Sequence, residues 1–235
     1  MFNLSIQISG LNKTSLLDYP KKISSIIFTQ GCNFKCGYCH NPHLNCCIEK
    51  SIYDYDVQDF FEFLKKRKGK IDAVVISGGE PCLQIDLIPF IKEIKKIGYF
   101  VKLDTNGTYP NKIKYLLENN LIDYIAMDIK APLEKYSNIT NTNVDTEKIS
   151  KSIFLIKNSN INYEFRITIL KKQLHYEDFD KIGKLLNEAK TYYLQKFVSS
   201  NILDNNLQNE KTYSDKEFAV IINIVNKYVQ NVFLR

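Results

Sequence analysis

The chain has 235 residues, is 44% hydrophobic and 25% charged, and carries a net charge of +6. A chain of that length buries roughly 70–75% of its unfolded surface, so it suits one domain and does not need disulfides to fold. The positive charge is spread along the sequence with no RNA- or DNA-binding motif, which argues against a nucleic-acid partner, and no stretch approaches the ~18 uncharged apolar residues of a membrane span.

The first residues, Met1-Phe2-Asn3-Leu4, lack the basic start and apolar core of a signal peptide, so the cytoplasm is the expected compartment. There the six cysteines stay reduced, and clustered ones act as metal ligands or catalysts rather than as disulfides. Residues 4–8 and 14–18, separated by Gly10, read as a short hairpin or extension, giving an N-terminal unit of residues 1–22.

From residue 23 onward strands and helices alternate. Strands are predicted over 23–29, 72–77, 99–104, 123–128, 163–170 and 192–198, several as near-continuous apolar runs of the kind found in buried parallel sheets. Helices are predicted over 53–66, 85–97, 111–119, 145–158, 176–189 and 214–229, the last opened by Ser214 and Glu217 in a capping-box spacing. The basic run Lys65-Lys66-Arg67-Lys68 reads as the solvated end of the first helix. The polar stretches 136–145 and 199–213 read as flexible loops. Repeated β–α units imply parallel strands with right-handed crossovers. The predicted fold is therefore α/β, a partial (β/α)6 TIM-like barrel over residues 23–235 with the N-terminal hairpin or extension attached.

In such barrels functional side chains gather at the C-terminal ends of the strands. The first strand is followed by Cys32, Cys36 and Cys39, a C-x-x-x-C-x-x-C run, and three clustered thiolates can hold three irons of a 4Fe-4S cluster and leave the fourth iron open. The second strand ends in Gly78-Gly79-Glu80-Pro81, where absent Cβ atoms allow a sharp turn and Glu80 offers a carboxylate suited to an ammonium group. The third ends in Asp104-Thr105-Asn106-Gly107, the fourth in Met127-Asp128-Ile129-Lys130, and the fifth carries Arg166 in an otherwise apolar and β-branched segment. Charges in a barrel mouth are costly unless something binds them. Three thiols with His40, His43, Cys46 or Cys47 nearby also suit structural zinc. Cys82 reads as a small buried hydrophobe.

The pairing of this cysteine run with Gly-Gly-Glu-Pro resembles the radical S-adenosylmethionine (SAM) superfamily. Cys39-His40-Asn41-Pro42 and the third- and fourth-strand motifs resemble the activating enzymes of glycyl-radical proteins. Ser15-Leu16-Leu17-Asp18-Tyr19-Pro20, Phe28-Thr29-Gln30-Gly31-Cys32-Asn33 and Leu194-Gln195-Lys196-Phe197 look most like those that activate anaerobic ribonucleoside-triphosphate reductase. The resemblance implies cluster ligation by Cys32, Cys36 and Cys39, and SAM contacts from Tyr38, His40, Gly78, Gly79, Glu80, Asp104, Asn106, Asp128, Lys130 and Arg166. It also implies a possible monovalent cation on Asp104, Thr105, Met127 and Asp128, a glycyl-radical enzyme as partner (anaerobic ribonucleotide reductase foremost), and a flavodoxin- or ferredoxin-type electron donor. The implied chemistry is one-electron cleavage of SAM, with hydrogen abstraction from a glycine. The alternative is a radical SAM enzyme acting on a small molecule, such as a 7-carboxy-7-deazaguanine synthase. Some activases reach the cofactor ribose with a histidine near the end of the sixth strand; Val198 stands in that region here.

Overall fold

The computed structural model describes residues 4–45 and 55–235. Its framework is one sheet of eight strands hydrogen-bonded in chain order, from β1 (Ile8–Ser15) and β2 (Ser24–Thr29) to β7 (Thr191–Lys196) and β8 (Asn231–Leu234). β1 runs antiparallel to β2, and every later pair is parallel. Between them stand β3 (Ala73–Gly78), β4 (Phe100–Thr105), β5 (Tyr124–Asp128) and β6 (Asn162–Ile169). A parallel sheet whose space order equals its chain order winds in one direction, as a barrel does. Among the described residues β1 and β8 do not pair, so the barrel stays open.

Helices cross between consecutive parallel strands: α1 (Val57–Arg67), α2 (Leu87–Ile97), α3 (Pro110–Glu118), α4 (Tyr136–Thr140), α5 (Thr146–Lys157), α6 (Tyr176–Leu185) and α7 (Asp215–Val225). Their ends follow local chemistry. Asp56 caps α1 by accepting from the Gln58 and Asp59 amides, and Lys65, Lys66 and Arg67 close its last turn, where cations complement the helix dipole. Ser214 and Glu217 form the expected reciprocal capping box on α7.

Strand parity divides the molecule into two interiors. Ile27, Val74, Ile76, Leu103, Ile125, Phe165 and Ile167 point outward into the main core beneath the helices. On the opposite parity, Ile26, Ala73, Val75 and Tyr124 form a small apolar plug inside the barrel, closed by Tyr19, whose ring lies 5.6 Å from that of Tyr124. Residues of that same parity nearer the C-terminal strand ends are polar: Asp104, Asp128, Arg166, Thr168 and Gln195.

Three segments differ from the sequence reading. The N-terminal extension contributes β1 to the sheet edge. The stretch 136–145, expected to be a flexible loop, begins with α4, because Tyr136 and Ile139, three residues apart, both bury in the main core. The last helix stops at Val225, and residues 231–234 add the unforeseen β8. In the other expected loop, 199–213, the side chains of Ile202, Leu207 and Tyr213 are buried.

Candidate active site

The loop after β2 is shaped by backbone tethers from distant parts of the chain. The Lys35 amide donates to the Thr140 carbonyl at the end of α4 (2.8 Å), and the Leu203 and Asp204 amides donate to the carbonyls of Cys39 (3.1 Å) and Gly37 (2.9 Å). The Cys39 amide closes a turn onto the Cys36 carbonyl. Asn33, Asn106 and Thr108 form a closed set of side-chain hydrogen bonds of 2.7–3.0 Å that pins the loop to the end of β4. His40 Nε2 lies 2.9 Å from the Val198 carbonyl, so the position without a histidine serves as an anchor for another one.

Cys32, Cys36 and Cys39 line a cavity of about 320 Å³ at the C-terminal ends of the strands. Tyr38, His40, Gly78, Gly79, Asp104, Thr105, Asn106, Asp128, Lys130 and Arg166 line the same cavity. Burial pushes the Cys32 thiol up to about 12 and raises Cys36 as well. Without a compensating cation these thiols stay protonated; bound metal reverses that balance. Among the described residues the buried Tyr38 hydroxyl has no hydrogen-bond partner, and the Lys130 ammonium sits 6.0 Å from the centre of its ring.

Two expected contacts fall elsewhere. Glu80 does not line the cavity: its fully buried carboxylate accepts from the Cys82 amide (3.0 Å), the Thr105 hydroxyl (2.8 Å) and the Asn106 amide (2.6 Å). It clamps the end of β3 to the end of β4. The Met127 side chain is buried on the outer face and fills the space over Gly107. Of the second cysteine pair, Cys46 and Cys47 lie outside the described residues, while Cys82 is fully buried, as read.

The glycines answer to packing rather than to open space. A Cβ on Gly79 would stand 2.0 Å from the Gly31 carbonyl oxygen, and Gly78, at φ +122°, would place one 2.2 Å from the Thr29 amide nitrogen. Here β3 and β2 touch backbone to backbone, with the Glu80 amide donating to Gly31 at 2.8 Å. We expect Gly79→Ala to cost about 3 kcal/mol through overpacking, lowering Tm by about 10 °C for a chain of this size. Gly69→Ala, at φ +78° but with nothing within 4 Å, is the control and should cost only about 1 kcal/mol. Differential scanning fluorimetry of both variants checks the contrast.

The radical SAM superfamily profile matches residues 26–186, which include the cysteine loop and β2–β6. The chain belongs to the radical SAM superfamily. Along almost its whole length (97% of the chain, 95% of the relative) this radical SAM enzyme is 36% identical to a Methanocaldococcus jannaschii protein provisionally named a glycyl-radical enzyme activating enzyme. A second protein of that organism with the same provisional name is 32% identical over 88% of the chain and 78% of its own length. The pyruvate formate-lyase-activating enzyme of Listeria monocytogenes is 36% identical over 46% of the chain and 47% of its own length. Among solved structures, Streptococcus suis SuiB bound to its precursor peptide SuiA superposes with a TM-score of 0.64 at 13% identity, covering 89% of this chain and 48% of SuiB. TYW1 with a lysine-pyruvate adduct superposes with a TM-score of 0.62 at 15% identity, covering 87% of this chain and 73% of TYW1. These two likenesses concern the fold.

Opposite the cysteine loop, the radical SAM enzyme carries a largely buried charge network, with Asp128 about a third exposed. Arg166 Nε donates to Asp128 (2.9 Å) and its NH1 to Asp104 (3.2 Å); Lys130 pairs with Asp128 (3.1 Å) and Lys102 with Asp104 (2.9 Å). Burial alone would raise both carboxyls, but Arg166 with Lys102 or Lys130 outweighs it and holds each below the usual carboxylate range. Arg166 also comes within 4.0 Å of Glu164, the structural partner considered for it, although Asp104 and Asp128 are nearer. Sequence reasoning missed three polar lining residues, Asn45, Thr168 and Gln195. Thr168 lies two positions beyond Arg166 and so on the same strand face, a signal that was available.

Proposed function

We propose that Cys32, Cys36 and Cys39 hold a 4Fe-4S cluster, that SAM binds beside it, and that the enzyme installs a glycyl radical on a partner, anaerobic ribonucleotide reductase. The observation that carries this reading is the single cavity that joins three soft donors to the glycine turn of β3 and the charged ends of β4–β6. The donor chemistry fits the cluster. In a cluster each of the three thiolates takes an iron of its own.

When bound, cluster and cofactor supply reductive cleavage of a sulfonium and a carbon radical able to take a hydrogen atom. The protein's part is to hold and orient. The turn at Gly78 and Gly79 offers backbone to the amino-acid end of the cofactor, Glu80 keeps that turn in place, and Tyr38 and His40 line the cluster side. Asp104, Asn106, Asp128, Lys130 and Arg166 present polar contacts on the opposite wall. A monovalent cation on Asp104, Thr105, Asp128 and the main chain of Met127, whose side chain faces the helices, belongs to the same reading and would share the carboxylates with Arg166. A flavodoxin- or ferredoxin-type donor supplies the electron, and the cytoplasm supplies the reducing setting.

Anaerobic reconstitution with iron and sulfide, reduction, and addition of SAM should yield 5′-deoxyadenosine. With the reductase of the same organism present, a glycyl signal should appear by electron paramagnetic resonance. Absence of 5′-deoxyadenosine defeats the radical SAM assignment of these residues. Cleavage without a glycyl signal, with turnover of a pterin instead, defeats the activase reading and supports the small-molecule alternative.

A further inference from the structure

The end of the barrel away from the cavity, where the parallel strands begin, has a pattern of its own. Leu16 and Leu17 form the tip between β1 and β2 and are 71% and 88% exposed. They are held there by their own backbone. The Ser15 hydroxyl accepts from the Leu17 and Asp18 amides (3.2 and 3.3 Å), and Tyr19 anchors the far side of the tip in the plug inside the barrel. Ile23 and Phe100, at the same end, are 39% and 43% exposed. Large apolar groups gathered at one place on a surface mark contact with a partner.

Cations surround this tip. Segments 13–22 and 65–72 hold eight lysines and arginines against two acids, Asp18 and Asp72. Arg67 donates to the Thr14 hydroxyl (2.9 Å) and the Ile23 amide donates to Asp72 (3.0 Å), so the two segments lie together. Lys22 stands 3.6 Å from the centre of the Phe100 ring. The dipole of α1 accounts for the basic residues of its last turn. It does not account for Lys13, Lys21 and Lys70, which are exposed outside that helix. Lys21 also has φ +62°, in a turn closed by the Lys22 amide on the Tyr19 carbonyl, so a cation stands where the backbone favours glycine.

The combination selects the partner. A nucleic acid would answer the charge and leave the leucines in water. An electron donor or a substrate must reach the cysteine loop, which lies at the other ends of the strands. An anionic lipid surface takes both features: its headgroups meet the cations, and the leucines enter the apolar boundary beneath them. We propose that this end of the barrel docks on an anionic membrane surface, with Leu16 and Leu17 as the inserted tip and the basic residues of 13–22 and 65–70 around it. The cavity then opens away from the lipid. The inference goes beyond the activase reading and does not depend on it.

Sedimentation of the reconstituted enzyme with lipid vesicles tests the proposal. The vesicles are phosphatidylcholine alone, or phosphatidylcholine mixed with phosphatidylglycerol. The wild type should bind the mixed vesicles at least about tenfold more tightly than the neutral ones, and added salt should weaken that binding. Leu16→Ser with Leu17→Ser should weaken it about tenfold or more. Lys13→Gln and Lys70→Gln should each weaken it about fivefold. Lys21→Gly removes a charge and suits the turn better, so its own fivefold loss cannot come from misfolding. No binding of the wild type to mixed vesicles overturns the proposal. Binding that survives loss of both leucines also overturns it, because adsorption of a basic surface would then suffice. Binding to soluble polyglutamate without binding to vesicles overturns it in favour of an acidic protein.

Discussion

Cys36→Ala should retain almost no iron after reconstitution and should form 5′-deoxyadenosine at a rate more than about a hundredfold below wild type, since even outer-shell losses at metal sites cost ~10–100-fold. Cys36 is the most buried of the three cavity thiols; Cys32 and Cys39 are partly exposed. Its carbonyl anchors the turn to Cys39, so the backbone that positions both is shared. Alanine keeps that backbone and the side-chain volume nearly intact while removing one donor of three. The fold should therefore survive, and circular dichroism of the variant should match wild type. Iron content by colorimetry and 5′-deoxyadenosine by chromatography decide the matter. Full iron loading with undiminished cleavage would refute ligation by this residue.

Arg166→Ala should be the most destabilising single change inside the barrel. It strips the buried Asp104 carboxylate and the partly exposed Asp128 carboxylate of the cation they share. Removing one member of a buried ion network typically costs 3–5 kcal/mol. Lys102 and Lys130 stay in place, so a cost of about 3 kcal/mol is expected. The pH dependence follows from the direction of the shifts. Asp104 and Asp128 are held below their ordinary range, so their ionised forms stabilise the fold at pH values above about 4, and that contribution fades as acid carries the pH down through their lowered values. Without Arg166 the carboxyls protonate at higher pH, and the acid-unfolding midpoint should move upward. Arg166→Lys restores charge but not the two-pronged bridge and should fall between the two. Urea titrations at pH 7, with fluorescence-monitored acid titrations, measure both effects. An unchanged acid midpoint in Arg166→Ala would show that the network contributes nothing to the pH dependence.

The barrel and its functional end were readable because the chemistry sits where strands stop. The alternation of apolar runs with helical stretches placed the six strands that became β2–β7. Cys32, Cys36, Cys39, the paired glycines and the charges on β4–β6 fell at their ends and share one cavity. Parity was the neglected information. Met127 precedes Asp128 on β5, so if one side chain faces the cavity the other faces the helices, and only the carboxylate can reach in. Thr168 could have been found by the same count from Arg166. The direction of Glu80 was not legible, because it depends on three donors supplied by Cys82, Thr105 and Asn106 once β3 and β4 lie together. α4 escaped notice because only two residues in a polar stretch carry its burial, and β8 because its four residues gain meaning from the neighbouring strand alone.

The long-range tethers of the cysteine loop set an order of assembly. Its carbonyls at Gly37 and Cys39 are capped by residues 204 and 203, and His40 is held by the carbonyl of residue 198. A nascent chain on the ribosome has made the three thiols long before it makes those partners. The loop that carries them therefore takes its final shape only once residues 198–204 have folded against it.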